Sequence, residues 1–312
     1  MVENVKVPKT VSFHSWQQSF KNPAASTQFG MMEPPDLAKF GRSEQLHAAL
    51  YGVTGFLEAN NRFPENTEED FKSCLDLANS KMASLKQEDE SNLNVEIDQD
   101  VFRKAVIYAS CSVSPIAAFF GGIVAQEIVK YTGKYSPLKQ WLHFDIYETL
   151  PRGEVTRSVT GSRYDDQIKI YGQELQEKLS KVNLFMVGAG ALGCELIKAF
   201  ALMGIGCSQE GKVHVADNDN IEVSNLNRQF LFRQNNVGHS KSETACQIAK
   251  GMNAALNVQD YMPRVGVDPG AVFHDRFWDG LDFVVNAVDN IHARLYVDQK
   301  CVWHEKPLLE SG

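Results

Sequence analysis

The sequence lacks several features that would point to particular classes of protein. Its six cysteines never stand as a C-x-x-C pair, so it carries neither a zinc knuckle nor a thioredoxin-like motif. No apolar run approaches the roughly 18 residues that a membrane-spanning helix needs, and the amino terminus lacks the hydrophobic stretch of a signal peptide. We therefore expect an intracellular protein whose cysteines are mostly buried and none of them catalytic. The compartments that we predict for it are the cytoplasm and the nucleus.

Positive charge is also scarce. The chain has 31 Lys and Arg against 39 Asp and Glu, a formal net charge of −8. Neither nucleic acid nor an anionic membrane attracts an acidic protein that has no basic patch, so we expect neither as a partner. Local Lys and Arg side chains should instead mark specific anion sites. The 312 residues, 43% of them hydrophobic, suit a globular protein of about two domains.

The first third of the chain predicts mainly helices. Residues 1–35 contain prolines and an alternating, edge-strand-like run, which we interpret as the tail of a preceding β domain with a linker. Residues 36–110 show apolar side chains at helical spacing and predict a small helical bundle, with an acidic, solvated loop at 86–98.

Residues 111–150 have a different composition. A strongly apolar segment predicts a buried helix that Gly133 ends, and a strand is predicted at Trp141–Ile146. Residues 151–162 are rich in Pro, Gly, Ser and Thr, so we expect a linker and a domain boundary there.

From residue 163 to 312 strands and helices alternate. This pattern predicts an α/β fold with a doubly wound, mainly parallel sheet, in which ligands bind at the carboxyl ends of the strands. The predicted strands lie near 182–187, 212–216, 258–262 and 282–288, and the predicted helices near 191–203, 241–253 and 290–304.

The most informative motif is V-N-L-F-M-V-G-A-G-A-L-G, which ends at Gly193. Its strand, glycine turn and helix suit a nucleotide, because Gly188 and Gly190 let backbone amides approach a phosphate. Ala191 then begins a helix whose positive dipole end faces the anion. A single G-x-G-x-x-G remains a weak signal for NAD in particular.

Three acidic or amide residues follow the second predicted strand. Asp217 occupies the position where a carboxylate holds ribose hydroxyls in dinucleotide-binding folds, although it lies farther from the glycines than usual. Asn218 and Asp219 come directly after it. The alternative interpretation is an ordinary Asx-rich turn.

The polar segment N-L-N-R-Q interrupts the pattern of a dehydrogenase. Arg228 offers a planar set of donors suited to phosphate oxygens, and Asn225 and Gln229 can add neutral hydrogen bonds. The alternative is a solvated surface loop with one salt bridge.

Lys241 lies in the first turn of a predicted helix. H-S-K-S-E predicts Ser240 as the N-cap with Glu243 completing a capping box. A cation there opposes the helix dipole unless an anion lies beside it, so a phosphate would explain the position. The alternative is a long side chain that extends harmlessly into water.

Asp289 ends the strand D-F-V-V-N-A-V-D-N. A carboxylate that faces polyphosphate is what Mg²⁺ requires, since this ion binds one or two protein carboxylates together with phosphate oxygens. The alternative is that Asp289 caps the following helix.

Four segments together resemble the active adenylation half of the eukaryotic ubiquitin-activating enzymes of the single-chain type. They are G-A-G-A-L-G-C-E-L-I-K, D-N-D-N-I-E-V-S-N-L-N-R-Q-F-L-F-R, N-A-V-D-N-I-H-A-R and K-P-L-L-E-S-G. Upstream, A-K-F-G-R-S-E-Q-L-H and F-F-G-G-I-V-A-Q-E-I-V-K resemble the helical bundle and the closing part of the inactive half, which would take in residues 111–150. The resemblance implies a Rossmann-like adenylation domain of the ThiF/MoeB type over 163–312.

By this resemblance the fold would use ATP and Mg²⁺ to adenylate the C-terminal carboxylate of ubiquitin, before a cysteine elsewhere takes the acyl group as a thioester. Arg228, Lys241 and Asp289 would be the catalytic residues, with Mg²⁺ on Asp289 and a second ion on Asp219. Conjugating enzymes would be the partners of the whole protein. The nucleotide would contact a larger set of residues, namely Gly188, Gly190, Ala191, Gly193, Asp217, Asn218, Asn225, Arg228, Gln229, Lys241 and Val265.

The resemblance also implies that the active half is incomplete at its C-terminus and that the thioester-forming cysteine is absent. We therefore expect weak ATP binding and no loading of ubiquitin by the chain alone. Three alternatives stay open: an activator of another ubiquitin-like modifier, an NAD-dependent oxidoreductase, and a truncated, non-catalytic scaffold.

Overall fold

A computed structural model describes residues 10–24, 36–91, 93, 95–133, 135–266 and 272–310. Contacts divide the chain into two compact units. The first, called here the helical unit, comprises Met1–Cys111 and Phe119–Leu150, and the second, the α/β unit, comprises Ser112–Ala118 and Pro151–Gly312. Within the described residues, no helix is both long and apolar enough to cross a membrane.

Among the described residues, five α-helices precede residue 131. They are α1 (Trp16–Lys21), α2 (Arg42–Asn60), α3 (Glu68–Gln87), α4 (Gln99–Ile107) and α5 (Ser114–Lys130). Thr67 and Asp98 cap α3 and α4 with their side-chain oxygens, as expected for residues of these types at a helix start. Helix α2 packs closely on α3 at Gly52, where a Cβ would lie 2.5 Å from the Cys74 carbonyl oxygen. The absence of a side chain at this position permits the close approach.

The buried His47 of α2 bonds to α1 and to a second imidazole, His143. His47 Nε2 lies 2.9 Å from the Phe20 carbonyl oxygen, which can only accept, so this nitrogen carries the proton. His47 Nδ1 must then accept from His143 Nε2 at 3.1 Å. Burial lowers the pKa of His47 to about 4 and that of His143 to about 3, which keeps both rings neutral.

The predicted strand at Trp141–Ile146 is wrong. The segment forms no strand and pairs with none among the described residues. Its side chains make polar contacts to α1 and α2 instead, because Trp141 Nε1 donates to the Ser19 carbonyl and His143 bonds to His47. The edge strand predicted near the amino terminus falls mostly on residues 1–9, which lie outside the described residues, and residues 10–13 form no strand.

Helix α5 forms where it was predicted, and Gly133 follows it with φ +78°. The prediction that it is buried is wrong, because no described residue of α5 is buried. Val124 is 59% exposed and Ile128 70% exposed. Apolar composition was sufficient to predict the helix, but burial requires a second element that covers it.

In the part of the α/β unit that the structure describes, five strands form a fully parallel sheet with the order β3-β2-β1-β4-β5. This confirms the predicted fold class and each predicted strand and helix of this part. Helices α6, α7 and α10 were not predicted. The elements are α6 (Asp165–Tyr171), α7 (Gln173–Lys181), β1 (Asn183–Val187), α8 (Ala191–Met203), β2 (Lys212–Ala216), α9 (Lys241–Met252), β3 (Val258–Tyr261), α10 (Asp275–Asp279), β4 (Phe283–Asn286), α11 (Ile291–Trp303) and β5 (Leu308–Glu310).

Two apolar cores cover the sheet. Leu184 and Met186 of β1 pack with Ile197 of α8 in one core, whereas Phe185 and Val187 pack with the other core, which also holds Trp278. This alternation is what a strand buried on both faces produces. The strand order reverses at β1, between β2 and β4, so the carboxyl ends of these strands form the crevice in which open α/β sheets bind ligands.

Candidate nucleotide site

A cleft of about 900 Å³ opens at the carboxyl ends of β1, β2 and β4. Every site residue predicted from the sequence lines it except Gly193. These side chains come from stretches of the chain far apart in sequence, and parallel strands bring their ends to one edge of the sheet. The residues brought together are Gly188, Gly190, Ala191, Asp217, Asn218, Asp219, Asn225, Arg228, Gln229, Lys241, Val265 and Asp289.

The three glycines of the motif have different roles. Gly188 has φ +101°, and a Cβ there would lie 2.5 Å from the Ala287 carbonyl oxygen. Gly190 has no side chain to cap α8, so the first-turn amides of this helix remain available to an anion. Gly193 instead faces the turn, where a Cβ would lie 2.3 Å from the Gly188 carbonyl oxygen. It therefore allows α8 to pack against the loop and does not line the cleft.

Asp217 joins the glycine loop to the end of β2. One carboxylate oxygen, Oδ2, accepts the Ala189 amide at 2.7 Å, and Oδ1 accepts the Asp219 amide at 2.9 Å. Burial raises the pKa of this carboxyl, and the two backbone amides oppose that rise. The second bond has the i to i+2 spacing of an Asx turn, so the turn interpretation and a place in the cleft both hold.

The polar segment presents a guanidinium to the cleft. Arg228 Nη1 donates to the Ser224 carbonyl at 3.0 Å and to Asn227 Oδ1 at 3.2 Å. Arg228 is exposed and forms no salt bridge with the described residues, so the alternative of a solvated surface loop stands except for its salt bridge. Its positive charge remains available to a ligand.

The two amide residues beside Arg228 are buried. Asn225 Oδ1 accepts the Glu222 amide at 2.9 Å and so shapes the turn. Gln229 is 3% exposed, and its Oε1 has no hydrogen-bond partner among the described residues. A buried polar atom of this kind requires a water molecule or a ligand group, since leaving it unpaired costs about 1–3 kcal/mol.

Lys241 lies buried at the start of α9. Ser240 is the N-cap and accepts the Glu243 amide, as predicted. The return half of the predicted capping box is not formed, because the Glu243 carboxylate accepts from Gln247 instead. The Lys241 side chain is 10% exposed, so the alternative that it extends into water is wrong. Its Nζ lies 2.9 Å from Asp219 Oδ2. The anion expected beside a cation at this end of the helix dipole is therefore the Asp219 carboxylate.

Asp289 does not cap the helix that follows it. Asn290 does, with Oδ1 accepting the Ala293 amide at 2.8 Å. The capping alternative is therefore wrong. Asp289 is exposed to the cleft, and its carboxylate has no hydrogen bond or ion pair with the described residues. A hard, unpaired carboxylate is suited to a divalent cation.

Sequence reasoning missed other residues of the cleft. Arg264 lines it directly beside Val265 and adds a second exposed guanidinium. Asn290, the N-cap of α11, and Arg294, in the first turns of α11, also line it. Arg294 donates to the Val288 carbonyl and pairs with Glu310. The i to i+4 spacing of Asn290 and Arg294 was the available signal, because it places both on one face of the helix.

Comparison with known proteins assigns the α/β unit to a class. Residues 164–312 match the sequence model of the ThiF family, and so this part of the chain is a ThiF-type domain. Residues 7–81 match a second model, the four-helix bundle of ubiquitin-activating enzyme E1. A solved structure of the E. coli tRNA N6-threonylcarbamoyladenosine dehydratase aligns with 48% of this chain and covers 59% of its own, at 25% identity and a TM-score of 0.43.

The chain is related over its whole length to the ubiquitin-activating enzymes, which confirms the predicted resemblance. It is 43% identical to rabbit ubiquitin-like modifier-activating enzyme 1 over 100% of this chain. It is 42% identical to ubiquitin-activating enzyme E1 2 of Arabidopsis thaliana, again over 100% of the chain, and 41% identical to the fission yeast enzyme over 99%. The chain spans 28–30% of the length of these relatives.

Proposed function

We propose that this chain supplies the ATP-binding cleft of an enzyme that adenylates the C-terminal carboxylate of ubiquitin. One observation carries the proposal: two cations, Arg228 and Lys241, and the unpaired carboxylate of Asp289 share one cleft with the glycine loop. This set matches a metal-bound triphosphate. The family relation adds ubiquitin as the acyl substrate and conjugating enzymes as partners of the whole protein.

The residues present fit the nucleotide. The loop at Gly188 leaves space that a Cβ would fill, the first turn of α8 offers uncapped amides, and Gln229 has a buried oxygen without a partner. Asp217 lies at the end of β2, where it would hold the ribose, and Val265, which is buried at the cleft wall, would contact the adenine.

The residues present also fit Mg²⁺. No group of three or more His, Cys, Asp or Glu side chains in the described residues could hold a metal by itself. Mg²⁺ commonly takes only one or two protein carboxylates and completes its shell with phosphate oxygens and water. Asp289 would supply the first carboxylate and Asp219 a second. When bound, the ion would offset charge on the phosphates.

The chemistry required of the protein is positioning and electrostatic stabilisation. A carboxylate is already a nucleophile, so attack on the α-phosphate needs no general base. Arg228 and Lys241 are fixed cations at the cleft wall, and they would stabilise the charge that develops as pyrophosphate leaves. No cysteine of the described residues lines the cleft. Cys194 of α8 is fully buried, and burial raises the pKa of its thiol to about 11, so it is not a reactive nucleophile.

Equilibrium binding of ATP with Mg²⁺ to the 312-residue chain tests the nucleotide assignment. We expect Arg228→Ala to weaken binding about tenfold, since it removes a charged partner of the phosphates. Arg152→Ala, at an exposed position outside the cleft, is the matched control and should leave affinity unchanged. Tighter binding of NADH than of ATP would favour an oxidoreductase and contradict the proposal.

Isotope exchange between ATP and pyrophosphate tests the acyl substrate in an enzyme that contains this chain. Exchange should require ubiquitin with a free C-terminal carboxylate, and ubiquitin amidated at that carboxylate is the control. Asp289→Ala should abolish the exchange. Faster exchange with another ubiquitin-like modifier would reassign the substrate but not the reaction.

A further inference from the structure

Asp219 and Lys241 are joined twice in the cleft. The Lys241 amide donates to the Asp219 carbonyl at 3.0 Å, and the side chains form the 2.9 Å ion pair described above. An isolated antiparallel bridge between Asn220 and Ser240 holds the same two stretches of backbone together. The ion pair is therefore part of the folded protein itself and needs no ligand to form.

The two partners differ in their freedom to leave the pair. The Lys241 side chain is 10% exposed and lies at the positive end of the α9 dipole, so its ammonium must keep an anion beside it. The Asp219 side chain is 61% exposed on the cleft wall and can turn to another partner. Among the described residues, Asp219 is the only carboxylate within salt-bridge distance of Lys241.

A triphosphate that enters the cleft competes with Asp219 for the same ammonium. Without a metal ion the triphosphate would have to displace the Asp219 carboxylate and then lie beside it. Asp217 and Asp289 line the same cleft and add further acidic side chains. A divalent cation removes this conflict, because it offers the displaced carboxylate a new partner of opposite charge.

The inference that follows rests on the proposed function. We propose that Asp219 is a positioning residue that makes the cleft bind the metal-bound triphosphate in preference to the metal-free one. It holds the Lys241 ammonium through the 2.9 Å ion pair and would yield it to a phosphate once its own carboxylate had a divalent cation as partner. Lys241 thereby exchanges one anion for another and is never left as an uncompensated buried charge.

Dissociation constants for ATP, measured with excess Mg²⁺ and again with a chelator, test the exchange in the 312-residue chain. Asp219→Asn keeps the shape of the side chain and removes its charge. We expect this variant to bind metal-free ATP about fivefold more tightly than the unaltered chain, and to lose much of the preference for the magnesium form. Inorganic tripolyphosphate, measured the same way, should show the same change without the nucleoside.

Two further variants separate the exchange from simple charge repulsion. Asp289→Asn removes an equal charge from the same cleft but leaves Lys241 paired, so it should weaken binding of the magnesium form and tighten metal-free binding less than Asp219→Asn does. In a chain that already carries Lys241→Met, Asp219→Asn should give little tightening. Thermal unfolding of each variant checks that it is folded.

The outcomes distinguish the two proposals. An unchanged ratio of metal-bound to metal-free affinity in Asp219→Asn, or an equal tightening when Lys241 is absent, overturns the exchange and leaves the ATP assignment standing. Absence of ATP binding to the unaltered chain in either condition overturns the proposed function, and the exchange with it.

Discussion

Helices α5 and α8 are similar in composition but differ in burial. Both consist mainly of apolar residues and both contain glycine. Helix α8 buries residues along its length against the sheet, Ile197 and Ala201 among them, whereas no described residue of α5 is buried. Apolar composition therefore predicts that a segment forms a helix, but whether the helix is buried depends on what packs against it.

The largest expected effect comes from shortening one isoleucine on each helix. Ile197 is fully buried in the core of the α/β unit, so Ile197→Ala should lower the free energy of unfolding by about 2–5 kcal/mol. Ile128 is 70% exposed, and Ile128→Ala should change the free energy of unfolding by less than about 0.5 kcal/mol. Urea denaturation, monitored by hydrogen exchange of the amides in each helix, measures the two changes in the free energy of unfolding. Equal losses would show that α5 is covered in solution and would break the comparison.

A glycine on each helix sharpens the comparison. Gly193→Ala places a methyl group 2.3 Å from the Gly188 carbonyl oxygen, and we expect a loss of about 1–3 kcal/mol from the α/β unit. Gly121 of α5 has nothing within 4 Å of a built Cβ, so Gly121→Ala should stabilise its helix by about 0.5–1 kcal/mol. The same denaturation measurements apply. Destabilisation by Gly121→Ala would reveal a neighbour on that face.

Thiol labelling gives the smallest perturbation. Cys194 of α8 is fully buried with its pKa raised, so it should stay unlabelled by a thiol reagent at pH 8 until the protein unfolds. Val129 of α5 is 57% exposed, and Val129→Cys should react at the rate of an exposed thiol. Peptide mapping by mass spectrometry assigns each modified cysteine. Slow labelling at position 129 would contradict an exposed α5.

Much of the α/β unit and its cleft could be predicted from the sequence, because the signals there are local. A short apolar run, glycines and a helical repeat specify β1, the turn and α8 in consecutive residues. Asp217 and Asp289 could be placed at the cleft because each directly follows a predicted strand. Arg264 was missed, since a single arginine in a loop carries no periodic signal.

The partners of the candidate site residues could not be predicted. Asp219 and Lys241 are separated by 22 positions, and only the folded backbone brings their charged atoms to 2.9 Å. The same holds for the cap of α11, where Asp289 and Asn290 are both good capping residues and backbone geometry selects Asn290. The prediction of a strand at Trp141–Ile146 was wrong for a related reason, since a segment forms a strand only where a neighbouring strand can pair with it.

By itself, the sequence determined the order of strands and helices in the α/β unit and the chemical types at each strand end. Hydrophobic periodicity, glycines and capping residues are signals between residues close together in sequence, so they can be interpreted without a structure. The tertiary structure alone decided which apolar helix is buried, that Gly193 serves packing, and which anion accompanies Lys241. Those outcomes depend on distances between residues far apart in sequence, and only the folded chain sets such distances.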